Sequence, residues 1–299
     1  MKLNLWISLP LSMICVLANA QGTASTTTTT ATTTAAATAA PAAATSTATP
    51  KKEEAPSFKF GLSYDAEYAL QAQTQPDGTR SQGLSNTFTG SMGYGQFNSF
   101  LSMTYDQDLI DSSGSAWGDA ALGVSKKAWT LGEYLKLGPS MSLALPLTDA
   151  TRNVTGLQYA VGGTLKLTLV TKALGMDNFS ISQSVGVTKF FTNFDTTSTG
   201  SPSKAYRLRN QTSLGYSLTD SLSIEGLGRL DSNYSVNGVV TNFFILQEAI
   251  SYQINDNVSV GASHTNAANY LNSKKEYESN LKFYDSESSS YSVNISVSL

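Results

Sequence analysis

Two groups of ionisable side chains in this sequence have the types and spacing to do chemistry. The first is mainly basic: Arg207 and Arg209 lie two residues apart, Arg229 and Asp231 repeat that spacing, Glu225 precedes them at the same parity, and Lys166 stands alone upstream. In extended chain, residues two apart share a face, so each run concentrates charge on one side of a strand. The second group is Glu248 with His264, the only histidine. A carboxylate beside an imidazole can serve as orienting acid and general base for a nucleophile in acyl hydrolysis. Hairpin arithmetic shows who could meet. A turn centred on Asp220 sets Arg209 opposite Asp231, Gln211 opposite Arg229 and Gly215 opposite Glu225. It leaves Arg207 and Arg229 without a directly facing carboxylate. A turn centred on Asp256 pairs Ile254 with Val258, Tyr252 with Val260, Ile250 with Ala262 and Glu248 with His264. Directly opposed residues are close enough to interact.

Other chemistries lack their residues. Cys15 is the only cysteine, so neither a disulfide framework nor a cysteine-ligated metal can be built, and one histidine argues against a histidine-rich metal site. Phosphate loops, paired catalytic carboxylates and metal-ligand spacings do not occur. The formal charge is −3, which leaves no basic footprint for nucleic acid. The acyl-hydrolase reading of Glu248 and His264 needs a serine on the same face, and the segment Ser263-His264-Thr265-Asn266 puts Asn266 two residues beyond the imidazole. On these grounds the chain is expected to be no enzyme and to use no metal or cofactor.

The elements that position these residues announce themselves in three stages. Residues 1–20 run from Lys2 through an apolar stretch to Ala18-Asn19-Ala20, the order of a secretory signal peptide. Residues 21–56 form a linker whose first thirty positions hold thirteen Thr and eleven Ala and no charge. Such a composition cannot bury enough apolar surface to offset the entropy of ordering and is expected to be a disordered tether. From residue 57 to 299 apolar and small polar residues alternate: Leu157, Tyr159, Val161, Leu165, Leu167 and Leu169 interleave with Gln158, Ala160, Gly162, Thr164, Lys166 and Thr168.

Twelve such runs are legible, at 57–73, 85–95, 97–106, 116–126, 135–146, 157–170, 179–191, 205–218, 222–232, 242–254, 258–269 and 289–299. Most exceed the ~5–6 residues common in soluble sheets and match the ~9–11 that a tilted strand needs to cross a bilayer. Short connections, such as Gly95-Gln96, Thr219-Asp220-Ser221 and Asn255-Asp256-Asn257, alternate with longer ones at 74–84, 107–115, 147–156, 192–204, 233–241 and 270–288. Tyr291, Val293, Ile295, Val297 and Leu299 alternate with Ser292, Asn294, Ser296 and Ser298 to the end of the chain.

With that final strand and the alternation of short turns and long loops, residues 57–299 resemble the outer-membrane β-barrel proteins of Gram-negative bacteria, of porin-like, twelve-stranded type. Leu299 stands where that family most often ends in Phe. The resemblance implies an all-β fold, a twelve-stranded antiparallel transmembrane barrel with both termini periplasmic, partnered by outer-membrane lipids and the barrel insertion machinery. It implies a narrow channel for small solutes or ions; a structural or surface-interaction barrel with a plugged lumen is the alternative. Parity then turns Lys59, Asp65, Glu67, Asp119, Lys166, Arg207, Arg209, Glu225, Arg229 and Asp231 inward. Lys166, Arg207, Arg209, Glu225, Arg229 and Asp231 are the pore-lining candidates. Glu248 and His264 fall on the lipid face, where a charge is costly. Three explanations stand: a bulge near Gln247 that switches the face, supported by apolar Phe243 and Ile245; a subunit interface in a homo-oligomer; or the acid and base of a surface hydrolase.

Overall fold

The computed structural model describes residues 58–75, 78–110, 115–270 and 281–299. The signal peptide and the Thr/Ala-rich tether expected at 1–56 lie outside them. Among the described residues there are fourteen strand segments: β1 (Phe58–Gln71), β2 (Gln82–Tyr94), β3 (Phe97–Asp108), β4 (Ala116–Trp117), β5 (Ala120–Lys126), β6 (Trp129–Leu131), β7 (Leu135–Leu145), β8 (Leu157–Leu169), β9 (Phe179–Thr192), β10 (Lys204–Ser217), β11 (Leu222–Ser235), β12 (Val240–Asn255), β13 (Val258–Asn269) and β14 (Ser289–Ser298). Neighbours in sequence pair antiparallel, and β4, β5 and β6 are successive pieces of one stave between β3 and β7. The sheet closes because β1 pairs with β14 as well as β2. The result is a closed twelve-stave antiparallel barrel, and closure leaves no unpaired edge to face hydrocarbon.

The alternating sequence becomes two faces. Tyr64, Phe88, Met103 and Val297 share the outer side of adjoining staves, while Asp65, Thr87, Thr104 and Ser296 share the inner one. Large apolar side chains are widely exposed on the outer side, among them Leu62, Met141, Leu165, Val185, Leu214, Ile250 and Val293. In water that would be a severe aggregation hazard, whereas in a bilayer it is the required belt. Aromatic pairs flank the belt at both rims: Phe58 stacks on Tyr94 at 4.6 Å between ring centres and Phe179 meets Tyr216 at 4.7 Å at one end, and Tyr159 stacks on Phe191 at 4.4 Å at the other. The last residue is laddered in, since Leu299 N–H donates to Leu62 O at 2.8 Å and Leu62 N–H to Leu299 O at 3.1 Å. Thus β1 begins and β14 ends at the rim that carries the short turns.

Two connections differ from expectation. The loop expected at 233–241 is a tight turn over 236–239, because β11 and β12 each extend further; Gly238, at φ 80°, takes the left-handed conformation this turn requires. The gap between the runs expected at 116–126 and 135–146 contains β6, which forms a hairpin with β7.

Candidate functional site

The register of β10 on β11 runs as the hairpin arithmetic expects, with Arg209 opposite Asp231, Gln211 opposite Arg229 and Gly215 opposite Glu225. Arg209 grips Asp231 with both prongs of its guanidinium, Nε to Oδ1 at 2.9 Å and an Nη to Oδ2 at 3.0 Å. Such a fork fixes both partners in one geometry. Arg229 is not the unpaired cation expected from the sequence. Its Nε lies 3.5 Å from Asp231 Oδ2, because residues two apart on one strand share a face and the carboxylate has two oxygens to offer. The Arg229 Nε is buried and makes no hydrogen bond of its own. Arg207 donates from Nε to Asn233 Oδ1 at 3.2 Å and lays its guanidinium 5.1 Å from the centre of the Phe190 ring, a cation–π contact.

One cation escaped the sequence reading. Lys204 pairs with Ser235 and Tyr206 with Tyr234, so Ala205 is an extra residue. That bulge reverses the parity and turns Lys204 to the same side as Arg207. Simple alternation places Lys204 in a loop, and only the doubled wording of the register reveals it. Lys166 and Glu225 hold the inward parity expected of them, Lys166 opposite Gly138 and Ser184 and Glu225 opposite Gly215, away from the arginine cluster.

The opposite wall is mainly acidic, with Lys59 an inward cation at the short-turn end of β1. Asp65 and Glu67 on β1 and Asp106 on β3 point inward; Asp65 accepts from Ser296 Oγ and Asp106 from Ser85 Oγ. In a ring of twelve staves, β3 is half a turn from β11 and β1 nearly so from β10. The lumen therefore has a basic side and an acidic side. Asp119 belongs to neither: it falls between β4 and β5, where its Oδ1 accepts the Leu147 and Thr148 N–H groups at 3.0 and 3.3 Å and ties down the following loop.

The pair Glu248 and His264 is opposed as expected, and so are Tyr252 with Val260 and Ile250 with Ala262. The bulge expected near Gln247 is absent: pairing is continuous from Phe243 opposite Asn269 to Gln253 opposite Ser259. Glu248 and His264 consequently stay on the outer face. The irregularity comes at the turn, where Asn255 rather than Ile254 faces Val258. Phe243 and Ile245 point into the lumen opposite Asp231 and Arg229 and help to exclude water from them. This is why they are apolar at inward positions.

His264 has a partner the sequence does not reveal. Ser289, from β14, places Oγ 3.2 Å from His264 Nε2. The same Oγ accepts the Asp285 N–H at 3.0 Å, and Ser289 is only 3% exposed. The segment before it packs against the outside of β13: Asn266, fully buried, donates to Lys282 O at 2.5 Å and accepts from Ser288 Oγ at 2.6 Å. Asp285, outside the strands, has its carboxyl held below the usual range by the Glu287 N–H and by Lys282. Among the described residues no cluster of His, Cys, Asp and Glu could hold a metal ion.

No family model matches the chain, and no curated protein matches it in sequence. Its architecture does have solved counterparts. The NanC porin superposes with a TM-score of 0.50 at 13% identity, covering 80% of this chain and 100% of that one. An outer membrane channel from Pseudomonas putida F1 superposes with a TM-score of 0.52 at 10% identity, covering 83% of this chain and 97% of that one. Closure, apolar belt, aromatic rims and polar lumen together define the fold as an outer-membrane β-barrel of porin type.

Proposed function

We propose that the chain is a narrow porin-like channel of the outer membrane that passes small solutes or ions, with a modest preference for anions. The observation that carries this reading is the lumen wall of β10 and β11, where Lys204, Arg207, Arg209 and Arg229 face inward around the carboxylate of Asp231, with Glu225 four residues from Arg229 along β11. Cations lining a confined passage raise the local concentration of counter-ions. The acidic wall of Asp65, Glu67 and Asp106 offsets part of that field, which keeps the preference modest and favours solutes that carry polar or opposite charges on two sides. We place both termini in the periplasm, since β1 and β14 meet at the short-turn rim and the longer loops leave the other. Outer-membrane lipids and the insertion machinery that handles barrel proteins are the partners this location requires.

The reading is tested by reconstituting the protein in planar bilayers under a salt gradient. Wild type is expected to conduct with a reversal potential on the anion side, and Arg207→Ala with Arg229→Ala to shift it toward cations. Absence of conductance in both would overturn the channel and favour the plugged, structural barrel, a reading that the near-burial of Asp231 and Ile245 inside the lumen supports.

We read the outer-face group of Glu248, His264 and Ser289 as non-catalytic. Glu248 makes no hydrogen bond to the imidazole, and the Ser289 hydroxyl is covered and already accepts a backbone N–H.

A further inference from the structure

The outer wall over β9–β12 contains polar groups that a lipid belt should not have. Gln183, Asn210 and Thr212 face outward and are linked: Thr212 Oγ1 donates to Gln183 Oε1, and Gln183 Nε2 donates to Asn210 Oδ1. The chain of bonds ends on an amide NH2 of Asn210 that donates to nothing among the described residues. On the far side of β11, Glu248 is exposed on the outer face and accepts no hydrogen bond among the described residues. Between these two groups stand Gly226, opposite Leu214 and Glu248, and Gly228, opposite Thr212 and Leu246. Nothing inside the chain asks for glycine there. A Cβ at Gly226 would meet open space, and one at Gly228 would only touch a Leu246 methyl at 3.7 Å. Glycine weakens a strand, and here it buys no internal packing.

We propose that this wall is the interface of a homodimer whose two-fold axis runs parallel to the barrel axis at Gly226 and Gly228 of β11. The occupant follows from self-complementarity. The unused donor of Asn210 lies one stave to one side of the glycines and the unused acceptor of Glu248 one stave to the other. A two-fold operation about β11 brings each copy's Glu248 to the other copy's Gln183, Asn210 and Thr212, and does so twice. Isologous interfaces have this reciprocal form. The glycines let the two walls approach, and interchain hydrogen bonds remove the polar groups from hydrocarbon, the combination that holds membrane proteins together where lipid competes with apolar contact. A different protein would have to supply both complements on its own surface, whereas a second copy already has them. The inference rests on the membrane-barrel reading proposed above.

The test uses the full chain with Cys15→Ser, which removes its only cysteine. Gly228→Cys is placed at the proposed axis and Leu101→Cys on β3, half a turn away and also outward. Both are oxidised in isolated outer membranes. Gly228→Cys is expected to give a covalent dimer and Leu101→Cys to remain a single chain. A folded Gly228→Cys protein that stays monomeric, or equal cross-linking at both sites, would overturn the proposal. Retention of the fold is read from the faster migration of the unboiled protein, so loss of the barrel and loss of the dimer are told apart. Native mass spectrometry of the unmodified chain in lipid nanodiscs gives an independent reading: two chains per particle are expected, with most of the population shifting to one in Glu248→Leu. A single chain in wild type would overturn the proposal whatever the cysteine variants do.

Discussion

At the scale of single residues, the behaviour of the lumen centres on Asp231. It is 4% exposed and bridges Arg209 and Arg229, so its negative charge holds two guanidiniums that would otherwise repel one another. Removing one partner of a buried ion pair strands the other and costs about 3–5 kcal/mol. Asp231→Asn is expected to lower the temperature at which the barrel loses its compact gel form, and to push the reversal potential further to the anion side in whatever fraction folds. Unchanged selectivity in that variant would show that the cluster does not face the conducting path. A second residue-scale expectation concerns Gly123, whose missing Cβ would fall within the space of the Phe100 ring across the β3–β5 ladder. The ring occupies the space a side chain would take. Gly123→Ala is therefore expected to destabilise the barrel by about 1–3 kcal/mol through overpacking. Gly123→Ala with Phe100→Ala should recover the loss, and urea unfolding of the wild type and both variants measures it.

At the scale of elements, the closing strand carries the sharpest contrast between faces. Ile295 and Val297 on β14 face outward beside Ala66 and Tyr64 of β1, while Ser296 faces inward and donates to Asp65. Arg on the lipid side near mid-bilayer costs roughly 2–4 kcal/mol, whereas Arg in the lumen keeps its water. Ile295→Arg or Val297→Arg is expected to block accumulation in the outer membrane, and Ser296→Arg to be tolerated, with Asp65 at hand as a counter-charge. Immunoblots of fractionated cells decide it, and equal levels for all three would refute the face assignment. Because β14 ladders both to β1 and to β13, a failure here also prevents closure, so the loss should be of the whole barrel rather than of a frayed edge.

For the whole molecule, closure and the division of the lumen into basic and acidic walls lead to a salt dependence. At about 0.01 M salt the screening length is about 30 Å and at about 1 M it is about 3 Å. The anion preference should accordingly be largest in dilute salt and nearly vanish in concentrated salt, measured as reversal potential at a fixed gradient ratio. A preference independent of salt would mean that steric fit rather than the field of Lys204, Arg207, Arg209 and Arg229 selects the solute. Density fractionation should place the protein with the outer membrane, and recovery from soluble periplasm would contradict the exposed apolar belt.

What the sequence determined by itself is whatever depends on period two. The alternation marks the strands to within a few residues at most ends, and with the centres of the turns it sets who faces whom: Arg209 with Asp231 and Glu248 with His264 are both legible in this way. Period two is a local property of extended chain, so neighbouring residues suffice to read it. The tertiary structure decided what depends on local irregularity or on closure. The bulge at Ala205 that brings Lys204 inward, the tight turn at 236–239 and the second contact of Asp231 with Arg229 break or add to the simple alternation. The meeting of His264 with Ser289 requires the pairing of β13 with β14 across a long loop. The opposition of Asp65, Glu67 and Asp106 to the arginine wall exists only once the twelve staves form a ring, because distance across a lumen is fixed by the number of staves between two strands and by nothing in either strand alone.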